Sequence, residues 1–231
     1  DYAQSVVKVS PPAGDTLPVL DYFTPFNALT YNTTDLDIGS SGLVLLPDQT
    51  GTHKHLLVQN DKAGDLFLID RDNMGKFNAG SNSQIVQSLS AVNRGMWSSP
   101  SWWNNFVYLG GQANPIQAFT YNPATQLLST TPTSKSATSY GYPGTTVSIS
   151  SNQTSNGIVW ALNNSTYKNA GGNAVLNAYQ ATSLSKRLYV STTNASRDNP
   201  GPAVKFQVPT VVNGKVYVAG QKNLAVYGLL H

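Results

Sequence analysis

The chain contains no cysteine among its 231 residues, so disulfides, thiolate metal sites and cysteine nucleophiles are excluded together. Charge is scarce as well. Only 11% of residues are charged, far below the roughly 25% usual for soluble domains. The 14 Lys and Arg against 11 Asp and Glu leave a net +3, a weak field with no basic cluster to follow a phosphate backbone, so nucleic acid is not an expected partner. Apolar runs are strand-sized, and none can span a bilayer as a helix. Histidine is limited to His53, His55 and the final His231, which leaves a serine nucleophile few candidate bases. The G-x-S-x-G, H-E-x-x-H and G-x-x-x-x-G-K-[ST] signatures are missing.

What the chain does have is turns: 19 Gly, 13 Pro and abundant Ser, Thr and Asn. Near the C-terminus, Val208, Thr210 and Val212 alternate up to Asn213-Gly214, a dipeptide suited to a two-residue hairpin turn because both residues tolerate φ > 0. Lys215 to Ala219 and Leu224 to Tyr227 complete an antiparallel meander. Pro209, Asn213, Val216, Tyr217, Gly220, Gln221 and Asn223 repeat Pro100, Asn104, Val107, Tyr108, Gly111, Gln112 and Asn114 at one constant offset. Looser copies lie at Asn156-Gly157 with Val159 and Trp160, and at His55 to Ile69. Turns spaced about 50 residues apart indicate propeller blades or solenoid coils. The expected fold is all-β, a β-propeller of about four four-stranded antiparallel blades, either the later part of a longer propeller or an incomplete ring.

Residues 1–42 read as an extended lead-in, in which Ser5 to Val9 is a candidate strand for closing the last blade, and residues 43–231 read as blades. Outer strands are expected at Gln84 to Leu89 and Gln126 to Thr131, and strands of the third unit at Val147 to Ser150, Ile158 to Leu162, Val175 to Tyr179 and Leu188 to Ser191. Helix is expected to be nearly absent, apart from a turn near Ala181 to Ser185.

The hairpins resemble the repeats of pyrroloquinoline-quinone-type propellers. The residues that carry the resemblance are Pro209 with Asn213-Gly214-Lys215-Val216-Tyr217-Val218, and Leu66-Phe67-Leu68-Ile69-Asp70 followed by Arg71-Asp72-Asn73. It extends over about residues 43 to 230. The resemblance implies a propeller of which this chain is the C-terminal part, completed by remaining blades or another copy of the chain. The expected function is that of a secreted or periplasmic, non-catalytic binding or structural module, with self-assembly as one form of it. The family's enzymatic members hold pyrroloquinoline quinone (PQQ) with calcium, so the C-terminal part of a PQQ-dependent alcohol or sugar dehydrogenase is the alternative. The chain lacks their cysteine pair and their Ala-x-Asp…Gly…Trp run.

Arg94, Trp97, Tyr142 and Lys205 each lie just before or within the first strand of a blade. In a propeller such strands line the central channel, where cations beside aromatic rings would suit a small planar anion. Tyr140, Tyr142 and the Trp97 region would instead serve as stacking platforms for a carbohydrate. Trp102, Trp103 and Trp160 are assigned to packing. Asp35, Asp37 and Asp48 flank a Gly-rich turn and offer calcium-type oxygens, with a self-bonded turn as the competing reading. His53 and His55 alternate without a nameable third ligand. Sequons at Asn32, Asn152, Asn163, Asn164 and Asn194 are about as many as chance supplies in so Asn-rich a chain.

Overall fold

The computed structural model describes residues 2–93 and 95–229. Five sheets follow one another along the chain. The first joins β1 (Val6–Val9) to β2 (Val19–Thr24). A helix α1 (Ala28–Thr34) and a 3-10 turn (Ile38–Ser40) then lead to the second sheet, β3 (Leu43–Leu45), β4 (Leu56–Asn60), β5 (Leu66–Asp70) and β7 (Gln87–Leu89). Between its last two strands, β6 (Lys76–Phe77) runs parallel against β2. The third sheet contains β8 (Ser101–Trp103), β9 (Phe106–Leu109) and β10 (Asn114–Asn122), and its outer edge is shared by β11 (Leu127–Leu128) and β12 (Ser134–Tyr140). The fourth is β13 (Ser148–Asn152), β14 (Ser155–Asn163), β15 (Val175–Gln180) and β16 (Ser183–Val190). After a short helical passage ending in α2 (Ala195–Asp198), β17 (Thr210–Val212), β18 (Lys215–Ala219) and β19 (Leu224–Tyr227) make the fifth.

The period-2 pattern explains how these sheets stack. In β4, Leu56 and Val58 face the third sheet and pack on Val107, Leu109 and Phe119, while Leu57 between them faces the first sheet beside Val6 and Phe23. The third sheet is likewise two-faced. Val107 and Leu109 turn one way, and Tyr108 turns the other to meet Val159, Ala161 and Tyr179 of the fourth. Leu162 and Leu176 then pack on Val216 and Val218 of the fifth. Each sheet is thus buried against its neighbours in chain order, as blades are. Among the described residues no buried cluster joins the fifth sheet to the first.

Large aromatics fill the gaps between sheets. Tyr108, Tyr140 and Tyr179 are all at most 1% exposed, and the hydroxyls of Tyr140 and Tyr179 lie 3.0 Å apart. Trp102 and Trp103 pack on the layers either side of the third sheet, and Trp160 packs between the fourth and fifth, as their assignment to packing requires. Between the first strands of neighbouring sheets, and the segments that lead into them, serine makes the contact. Ser41 Oγ donates to the Ser98 carbonyl at 2.7 Å and Ser101 Oγ to that of Val147 at 2.7 Å. Ser148 Oγ donates to the Pro209 carbonyl. A short hydroxyl satisfies a backbone acceptor of the next sheet without needing space for a large side chain.

The expected type I′ geometry of the last hairpin is present, with φ of 49° at Asn213 and 71° at Gly214. Its upstream counterpart Asn104-Asn105 adopts the same left-handed pair, at 44° and 63°, without glycine. Other expectations need correction. Val6–Val9 does not complete the last sheet: it pairs with β2 at the opposite end of the stack. Residues 28–34 are helical where an extended lead-in was expected, because one docked side chain, Tyr31 at 2% exposure, holds a helix too short to show a period. Asn156-Gly157 lies inside β14, and the hairpin turns earlier, where Gln153 has φ of 52°. The reason for Gly157 is packing: a Cβ there would lie 2.6 Å from the Trp103 ring. In the third sheet most of the outer edge is β12, not Gln126 to Thr131, and Ser183–Val190 is a strand where a helical turn was expected.

Candidate functional site

Antiparallel alternation puts the connection from the last strand of one sheet to the first strand of the next at one end of the sheets, together with the loop between the second and third strands of each. Trp97 lies in the connection before β8, Tyr142 in that before β13, and Lys205 and Phe206 in that before β17. Tyr167 and Lys168 come from the β14–β15 loop at the same end. The expected residues Trp97, Tyr142 and Lys205 therefore do converge, on loops at the end of the sheets and not on the strands lining a channel. Arg94 lies outside the described residues.

Tyr142 is the hub of the cluster. Its ring meets Trp97 edge-on, with centroids 5.0 Å apart, and lies 6.1 Å from Tyr167 and 6.3 Å from Phe206. These spacings fall within the range of favourable aromatic pairs. Lys205 Nζ sits 5.7 Å from the Tyr167 centroid and 5.5 Å from that of Phe206, and Lys168 Nζ is 5.7 Å from Tyr167. Among the described residues neither lysine pairs with a carboxylate. Gly141, Tyr142, Ser165, Tyr167 and the two lysines line a cavity of about 630 Å³ that opens to solvent. Phe206 is held at φ of 67° while 51% exposed. A bulky residue in the left-handed region costs about 1–2 kcal/mol, and strain of this kind collects at ligand sites.

The Met96–Trp97 segment is anchored from below by the β4–β5 turn, since Met96 N–H donates to the Asp61 carbonyl at 3.2 Å. Asp61 is 0% exposed. Its Oδ1 accepts the Gly64 and Asp65 amides at 2.8 Å each, while Oδ2 makes no hydrogen bond among the described residues. Burial pushes this carboxyl up to about 6. Tyr31 of α1 donates to Asp65 Oδ2 at 2.8 Å, and burial beside these carboxylates drives its hydroxyl far above its usual value.

Other expected site residues are placed elsewhere. Tyr140 cannot act as a stacking platform: it is 0% exposed and bonded to Tyr179. Asp35 and Asp37 both approach Lys62, at 2.6 and 3.9 Å, and the hydrogen bond from Lys62 lowers the Asp35 carboxyl. Asp48 is beyond the far end of β3, 3.9 Å from Lys54 and 3.7 Å from His55, so the three carboxylates do not meet. No acidic or histidine cluster able to hold a metal occurs among the described residues. His53 and His55 pair separately with Asp70 and Asp72, at 2.8 and 2.6 Å. Of the sequon residues, Asn32, Asn152 and Asn194 are exposed and Asn163 is half-buried. Asn164 is only 3% exposed, which leaves no room for a glycan. Tyr167, Lys168 and Phe206 were not singled out in the sequence, because a loop residue carries no period. Their one legible signal is Phe206 directly after Lys205.

No protein-family profile matches the chain, and no curated protein matches it. Among solved structures it is similar to the β-propeller domain of Cps50 (Swd1) from Myceliophteria thermophila, at 12% identity and TM-score 0.56, covering 98% of this chain and 64% of that one. It is also similar to a functionally unknown protein from Desulfotomaculum acetoxidans DSM 771, at 10% identity and TM-score 0.56, covering 100% and 60%. The chain thus spans less than two thirds of the length of either structure. Together with the serial sheets, the likeness supports an all-β, propeller-type fold.

Proposed function

We propose that the chain is a non-catalytic, propeller-type binding module that takes a small anion bearing a flat ring at the loop end of its sheets. The observation that carries this reading is the open cavity lined by Tyr142, Tyr167 and the unneutralised Lys168 and Lys205, with Trp97 and Phe206 packed against the Tyr142 ring. The rings supply a stacking surface, and the ammonium groups favour a carboxylate or phosphate over a neutral ligand. A neutral sugar would use the rings and leave the lysines idle.

Calorimetric titration with 1-naphthoate, its neutral alcohol counterpart and a neutral glucose oligomer tests the proposal. The anion is expected to bind at least tenfold more tightly than the alcohol, and Tyr142→Ala or Lys205→Met to weaken it at least tenfold. Equal binding of anion and alcohol, or preference for the sugar, would overturn the assignment. Dye reduction by alcohols or sugars on adding PQQ and calcium would establish the enzymatic alternative instead.

A further inference from the structure

The first sheet is unfinished in a specific way. In the second and fourth sheets an inner pair of strands precedes an outer pair, and the fourth strand leads into the next sheet. β2 leads into the second sheet in that manner, and Val6 and Phe23 pack over Leu57, Phe67 and Ile69. β1 and β2 therefore occupy the places of third and fourth strands, and the places of the first and second are open. The burial of the facing sheet shows where the cover stops. Phe67 and Ile69 on β5 are 0% exposed and Leu57 on β4 is 3% exposed. Leu43 and Leu45 on β3 lie opposite Gln59 and Leu57 and share their face, yet they are 40% and 53% exposed.

That uncovered face forms one wall of a cleft of about 400 Å³, and β1 forms the other. Among the described residues β1 pairs with β2 alone, so its inner edge offers unpaired backbone donors and acceptors, the usual template for an added strand. Arg71 also lines the cleft, with its Nε buried and without an acceptor among the described residues. No strand among the described residues fills the gap: β17 and β18 are the inner pair of the fifth sheet, which they keep.

We propose that this cleft seats a two-stranded β-hairpin of the same repeat type as β17–β18, contributed by further propeller polypeptide. One hairpin strand extends the sheet at the free edge of β1. Alternate apolar side chains cover Leu43 and Leu45, and a carbonyl or carboxylate of the hairpin accepts from Arg71 Nε. An apolar small molecule would cover the leucines but leave both the strand edge and Arg71 unsatisfied.

A synthetic peptide of residues 208–219, the chain's own inner hairpin, is a suitable probe. At saturating peptide, amide exchange of the intact protein is expected to slow at least tenfold within Val6–Val9. Leu45→Glu, at a side chain already exposed, is expected to abolish that protection without changing the melting temperature, and Leu43→Ser to weaken it. No protection at millimolar peptide, protection confined to the β19 edge, or protection that survives Leu45→Glu would overturn the proposal. So would the same protection arising without peptide as the mass doubles with concentration, because the occupant would then be a second copy.

Discussion

Asp61 allows a sharp test of how the loop end is held. Its carboxyl is fully buried, with Oδ2 making no hydrogen bond among the described residues, and it titrates at about 6 in the fold against 3.8 as its ordinary value. Below 3.8 the group is protonated in both folded and unfolded chains. Between 3.8 and 6 the folded protein holds the proton more tightly, so stability falls as pH rises, by about 3 kcal/mol across the interval. Above 6 this contribution is flat. Asp61→Asn keeps an oxygen for the Gly64 and Asp65 amides and removes the titration. The new amide adds a pH-independent cost, so the quantity to follow is the difference between variant and parent. Urea unfolding monitored by circular dichroism from pH 3.5 to pH 7 is expected to show that difference moving by about 3 kcal/mol in favour of the variant. A difference constant within about 0.5 kcal/mol would show that Asp61 is not a strained, buried carboxylate.

Two further expectations concern packing between sheets. Tyr140→Phe leaves the Tyr179 hydroxyl buried without its partner and is expected to cost about 1–2 kcal/mol. The double change Tyr140→Phe with Tyr179→Phe is expected to cost less than the sum of the single changes, and additive unfolding energies would refute the coupling. Gly157→Ala would drive a Cβ to 2.6 Å from the Trp103 ring and is expected to destabilise by about 1–3 kcal/mol. A melt unchanged by that substitution would remove packing as the reason for this glycine.

Alternation and turn chemistry are local, and they were legible. Asn213-Gly214 fixed its hairpin because few other dipeptides accept two left-handed residues at little cost, and the repeat of that pattern implied a series of like sheets. Where the local signal was shared between roles, the reading failed. Asn156-Gly157 has the composition of a turn but lies within a strand, its glycine required by the Trp103 ring from a neighbouring sheet. The helix over 28–34 exists through a single buried contact that no short window reveals.

The amino-acid order by itself determined the repeated hairpins of β4–β5, β9–β10 and β17–β19, and that Trp97, Tyr142 and Lys205 occupy equivalent places ahead of successive sheets. Tertiary structure alone decided what those residues meet. Tyr167 and Lys168 reach the same cavity, and Phe206 the Tyr142 ring, from loops whose course depends on how one sheet sits against the next. It also decided which apolar residues stay uncovered. Leu45 and Leu57 look alike in the sequence, but one is 53% exposed and the other 3%, because burial depends on what lies opposite a side chain and not on the side chain itself.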